Sequence, residues 1–131
     1  MESAIQKTLC EAIAANDKGN LEESVSLYRA ILQAEPLHPQ ANHNLGLIAV
    51  SASQTEVALP LFKTALEANQ SIEQLWISYI DALIRLDKLD LASKYIGMAK
   101  KAGFCGEKIQ SFSQRLISPL KLAAAGEFFK S

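Results

Sequence analysis

The chain has no surplus of positive charge: 13 lysines and arginines stand against 14 aspartates and glutamates, a formal net charge of −1. A surface that neutralises phosphates needs such a surplus, so nucleic acid is not an expected partner. No apolar run approaches the roughly 20 residues that a bilayer span requires, and Met1-Glu2-Ser3 opens no secretory leader. No membrane contact is expected, and the chain reads as a soluble, cytoplasmic protein. Cysteine is scarce. Cys10 and Cys105 lie far apart with no CxxC neighbour, which favours two reduced thiols over a disulfide or a zinc site. The parts of a catalytic centre are missing too, with no glycine-rich phosphate loop and no Ser/His/Asp arrangement. Nowhere do apolar and polar residues alternate long enough to predict a strand.

What remains is helical. "LEESVSLYRAIL" places Leu21, Val25, Tyr28 and Leu32 three or four apart, and "VALPLFKTAL" does the same with Val57, Leu61, Phe62 and Leu66. Short turn signals, "NDKGN", "EPLHP", "SASQ", "NQS", "RLDK" and "AGFCG", punctuate the chain at even intervals. This spacing predicts an all-α protein of short antiparallel hairpins, and its 131 residues suffice for a single domain with a core of its own.

Sliding the sequence along itself reveals a repeat of 34 residues. Ser24, Ala58 and Ala92 share one column, Tyr28, Phe62 and Ile96 a second, and Ile31, Ala65 and Ala99 a third. Glu22, Glu56 and Asp90 form a fourth, each three residues after Gly19, Ser53 or Asp87. Ser53 with Glu56, and Asp87 with Asp90, read as capping boxes at helix starts.

These columns resemble the tetratricopeptide repeat family, whose units are antiparallel helix pairs, A and B. Leu45, Gly46, Ala58, Phe62 and Ala65 stand at the family's positions in the second unit. Trp76, Ala92 and Ala99 do so in the third, and Pro36 closes the first. The resemblance implies an α-α superhelix of three units over residues 5–38, 39–72 and 73–106. It also implies that Gly46 sits where helix A comes closest to helix B. Thr8 and Glu11 replace a usual aromatic and leucine, and Ile80 stands at the place of Gly46, so the first and third units are expected to pack with altered spacing. A capping helix is expected over residues 107–117, with Ile109, Phe112 and Leu116 on its apolar stripe. Ser118-Pro119 reads as the start of a further short helix, 119–129, carrying Leu120, Leu122, Phe128 and Phe129. That segment either folds back on the cap, pairs with another copy, or leads into more protein.

In this family the A helices line the concave side, where peptides or partner helices lie. Carried over, that surface comprises Gln6, Leu9, Cys10, Ile13 and Asp17, then Gln40, His43, Asn44, Leu47 and Ser51, then Gln74, Ile77, Ser78, Asp81 and Arg85. The expected partner-binding set within it is Leu9, Ile13, Gln40, His43, Asn44, Leu47, Gln74, Ile77, Ser78, Asp81 and Arg85. His38 reads as a turn residue and His43 as a groove contact; with Pro39 starting a helix between them they do not share the face of a helical metal pair. Cys10 reads as a small apolar filler. Chaperone-binding members grip an acidic carboxyl-terminal tail with lysine, asparagine and arginine, where this chain has Leu9, Ile13, Asn44, Gln74 and Ser78. Only the asparagine is present.

"ANHNLG" further resembles the units of O-linked N-acetylglucosamine transferases and related bacterial glycosyltransferase and sulfotransferase proteins, whose inner asparagines grip a peptide backbone. An amide suits that task because it donates and accepts at once. Cys10 and Ser78 occupy the other rungs. The function expected is thus a non-enzymatic, protein-binding scaffold without cofactor or metal, a candidate substrate-recruiting module of a larger transferase. The alternative is an assembly module that forms a homodimer through its apolar carboxyl-terminal helix.

Overall fold

A computed structural model of the chain describes residues 3–116, and every regular element among them is a helix. α1 (Ala4–Asp17) is followed by α2 (Leu21–Ala34), α3 (Pro39–Ser51), α4 (Thr55–Ala68), α5 (Glu73–Arg85) and α6 (Leu89–Lys101). α7 occupies residues 107–116. Successive helices pack antiparallel, and the pairs stack into a superhelix. The further short helix expected at 119–129 lies outside the described residues.

The first helix starts where a side chain can satisfy its open N–H groups: Ser3 Oγ accepts from the Gln6 amide at 3.0 Å. His38, expected to be a turn residue, caps α3, its Nδ1 accepting from the Ala41 amide at 3.1 Å while Pro39 supplies a preset first helical residue. The expected capping boxes do not form. Gln54 and Lys88 are the N-caps of α4 and α6, and neither helix has a side-chain cap bond.

Ser53 and Asp87 serve the preceding helix instead. Both have left-handed backbone, φ 61° and 60°, like Gly19 at 82°. The next amide in each case reaches back to the helix it leaves, Asn20 to Ala15 O at 2.9 Å, Gln54 to Ala49 O and Lys88 to Leu83 O at 2.8 Å. This is the glycine-type stop that satisfies a helix's last carbonyls, and it closes α1, α3 and α5 alike. A side chain in that conformation costs about 1–2 kcal/mol, part of which glycine recovers. Ser53→Gly should therefore raise stability by about 0.5–1 kcal/mol, read from chemical denaturation.

Gly46 sits where expected. A Cβ placed on it would lie 2.5 Å from Cε1 and 2.7 Å from Cδ1 of Phe62, on the facing helix α4. Hydrogen in place of a side chain lets α3 and α4 close on a ring that is 2% exposed. Around it, Ala58, Ala65, Ala92 and Ala99 are fully buried at the helix crossings. In the first pair Ser24 takes the alanine position and donates its hydroxyl to Ala12 O at 2.8 Å, so its burial leaves no open polar atom.

The buried side chains form two clusters, one around Leu9, Tyr28 and Ile31, the other running from Phe62 through Trp76 and Ile80 to α7. Ile109, Phe112 and Leu116 of α7 are buried in the second cluster, which is the capping role expected of that helix. Thr8 is half-buried and Glu11 exposed, so the first pair lacks the filler that Trp76 supplies in the third. Ile80 is fully buried in the place equivalent to Gly46.

Candidate functional site

α3 and α5 lie side by side, and their amino-terminal halves, with the turn between α4 and α5, enclose a cleft of about 460 Å³. Its walls are Pro39, Gln40, His43 and Asn44 on one side and Asn69, Ile72, Gln74 and Leu75 on the other. Amides and apolar side chains alternate around it, and His38 at the rim is committed to capping. No cationic side chain lines it.

The cleft is held by a polar tie between the two helices. His43 Nε2 and Ser78 Oγ are 2.7 Å apart, and Gln74 Nε2 donates to the same Ser78 oxygen at 3.3 Å. Both His43 and Ser78 are buried, 8% and 6% exposed, and the imidazole rests beside Phe62, centroids 5.6 Å apart. Burial lowers the His43 pKa below its usual 6.5, against a smaller opposing effect of the Asn44 amide. Nε2 of the neutral ring can then accept a hydrogen bond from the Ser78 hydroxyl, completing a chain from Gln74 through Ser78 to His43.

The sign of the linked pH effect follows. Unfolded His43 takes up a proton near pH 6.5, whereas folded His43 does so only at lower pH. The folded state thus has its full advantage above 6.5 and loses it as the pH falls through the folded value. Thermal midpoints should decline on acidification from 6.5 toward about pH 5, above the range where ordinary carboxylates titrate. His43→Gln should flatten that decline.

The expected binding residues divide when placed in the structure. Gln40, Leu47, Gln74 and Arg85 are exposed, and Ile13, Asn44, Ile77 and Asp81 are half-buried. Leu9 does not belong to an open surface: it is 2% exposed and packs in the first core cluster. Ser78 and His43 serve chiefly to join helices. Cys10 is exposed and fills no gap. Arg85 and Asp81 form an ion pair of 2.7 Å one helical turn apart. Asn44 bonds neither to its own turn nor to a neighbouring rung; its amide donates to the Tyr28 hydroxyl at 3.1 Å, fixing its orientation from α2. Burial raises the Tyr28 pKa, so this acceptor stays protonated.

Asn69 and Ile72 complete the cleft and were hidden in sequence inside the turn signal "NQS" and its flank. Asn69 Oδ1 accepts from Ser71 N at 3.1 Å and Ser71 Oγ at 2.6 Å, and Trp76 Nε1 donates to Gln70 O at 2.9 Å. The Asn69 bonds brace the turn itself, and the Trp76 bond ties it to α5. Among the described residues no cluster of His, Cys, Asp and Glu could hold a metal ion, and no helix is long and apolar enough to cross a membrane.

Paired helices, alanine crossings and the closed approach at Gly46 define an α-helical repeat scaffold. The model of the tetratricopeptide repeat family matches residues 11–71 of the chain, and solved structures that include tetratricopeptide repeat domains share its fold. A mutant form of MamA superimposes with a TM-score of 0.74 at 20% identity, covering 91% of this chain and 69% of that one. The first repeat domain of Spaghetti, bound to the HSP90 peptide SRMEEVD, gives 0.78 at 16% identity, with 89% and 93% covered. The Sgt2 domain from Aspergillus fumigatus gives 0.78 at 16% identity, with 96% and 85% covered. No curated protein matches the sequence.

Proposed function

We propose that the chain is a non-catalytic protein-interaction module that binds an extended, uncharged peptide segment across the cleft between α3 and α5. The observation that carries this reading is the cleft's lining, four amides around three apolar side chains with no lysine or arginine among them. The amides of Gln40, Asn44 and Gln74 can each donate to a peptide carbonyl and accept from a peptide N–H, and Asn69, whose Oδ1 accepts from Ser71, offers its NH2 as a donor. Ile72 and Leu75 offer apolar contact for one side chain.

The Spaghetti domain holds the acidic peptide SRMEEVD, but the equivalent positions here suit another ligand. Leu9 and Ser78 are buried, and Ile13, Asn44 and Gln74 carry no charge. SRMEEVD should show no measurable binding, whereas peptides selected from a displayed random library should be rich in uncharged residues. Recruitment of a substrate for a larger transferase is the setting suggested by residues 21–50, with Asn44 as the one rung of the ladder present.

Asn44→Ala with Leu47→Glu tests the assignment. A contact that anchors binding typically accounts for about 2 kcal/mol or more, so affinity for a selected peptide should fall at least about thirtyfold. The fold should persist, since Leu47 is 43% exposed and the lost Asn44 to Tyr28 bond contributes only about 1 kcal/mol. Undiminished binding by the double variant would remove the cleft from the account.

A further inference from the structure

A second opening lies on the opposite side of the stack, and it is larger. α2 and α4 stand apart there over α3, leaving a groove of about 710 Å³. Val25 and Ala30 of α2, Leu45 and Ile48 of α3, and Val57 and Leu61 of α4 give it an apolar lining.

The repeat itself shows why it is open. Glu22, Val25, Ala52 and Gln54 line this groove, and 34 residues on, Glu56, Leu59, Leu86 and Lys88 line a smaller opening of about 340 Å³. Ala49 and Ala52 stand where the later unit has Leu83 and Leu86, and Leu83 is fully buried. Two leucines fill the floor of one interval and two alanines leave the other hollow. Leu21 and Val57 at its edges remain 46% and 53% exposed.

Residues 117–131 contain the apolar side chains that such a groove lacks: Leu120, Leu122, Phe128 and Phe129, with Ala123, Ala124 and Ala125 between them. Their charge is complementary as well. Lys121 and Lys130 match Glu22 in the groove and Glu56 at the start of α4, and Glu127 matches Arg29. Reach decides whose segment it is. α7 begins beside α5, where a Cβ on Gly106 would lie 3.1 Å from the Glu73 carboxylate, and its end is buried in the second cluster. From there the groove's floor on α3 is two helix spacings away, roughly 16–20 Å. The four steps from Leu116 to Leu120 span at most about 14 Å when fully extended, short of that distance.

We infer that the outer groove between α2 and α4 accepts residues 120–129 of a second copy of this chain, in a reciprocal dimer. Leu120, Leu122, Phe128 and Phe129 fill the hollow over Ala49 and Ala52. This surface is separate from the inner cleft, so the dimer and the peptide reading stand or fall independently.

The test is a mixing experiment by sedimentation equilibrium on the full chain. One variant, Phe128→Asp with Phe129→Asp, removes the inserted side chains; another, Ala52→Leu with Val57→Arg, blocks the groove at two exposed positions. Wild type should be a dimer and each variant alone a monomer. Mixed in equal amounts they should associate, because one intact segment then meets one intact groove, with a dissociation constant at least about tenfold weaker than wild type. Circular dichroism checks that each variant is folded, and Val57→Arg alone carries the groove arm if the pair of substitutions is not. A monomeric wild type, a variant that dimerises as wild type does, or a mixture that fails to associate would each overturn the inference.

Discussion

Replacing Gly46 with leucine should lower stability by about 3 kcal/mol, roughly 10 °C in melting temperature. A glycine inside a helix ordinarily costs about 1 kcal/mol relative to alanine, so on propensity alone any side chain would help. Packing reverses the sign. Even the first carbon would meet the Phe62 ring at 2.5 Å, and that ring is hemmed in by the core and by His43. Gly46→Ala should thus destabilise despite its helix-forming gain. Gly97 provides the control, since it lies within α6 with nothing within 4 Å of an added Cβ. Gly97→Ala should stabilise by about 0.5–1 kcal/mol. Opposite signs at two helical glycines, measured in one denaturation series, test the close approach of α3 to α4. A destabilisation shared by both would place the cause in the helices rather than at their crossing.

Pro60→Ala should raise stability by about 2 kcal/mol. Pro60 lies inside α4, is exposed, and supplies no N–H to the Glu56 carbonyl one turn earlier. Proline in a helix interior is about 3 kcal/mol less favourable than alanine, and its stiffening of the unfolded chain offsets part of that. α4 persists because its other face buries Ala58, Phe62, Ala65 and Leu66. At about 1.5–3 kcal/mol for each large apolar side chain removed from water, Phe62 and Leu66 alone outweigh the defect. No change in stability would show that the strain at Pro60 is already relieved in the folded helix.

Most of the scaffold was legible because burial follows period. Tyr28, Phe62 and Ile96, 34 residues apart, are all buried, and apolar spacing carried α4 correctly through Pro60. Gly46 was legible for the same reason, as a helix-breaking residue in a column that demands contact. Ser53 and Asp87 were misread, since a polar residue before a helix looks the same in sequence whether it caps that helix or ends the one before. Only φ separates the two.

The site was less legible. Residues carried over by register land on the right helices, but a register cannot tell inward rotation from outward: Leu9 went to the core and Ser78 to a tie with His43. Asn69 and Ile72 contribute to the cleft from a turn, where no periodic signal exists. The outer groove, by contrast, was present in the columns as alanine set against leucine, a difference in volume rather than in pattern.

Nuclear magnetic resonance with a library-selected peptide tests the central claim most directly. Amide shifts on titration should concentrate at Gln40, Asn44, Asn69, Ile72 and Gln74, and leave Val25, Ala52 and Val57 unmoved. Shifts confined to α2 and α4, with the inner cleft silent, would contradict the assignment of the cleft as the peptide-binding face.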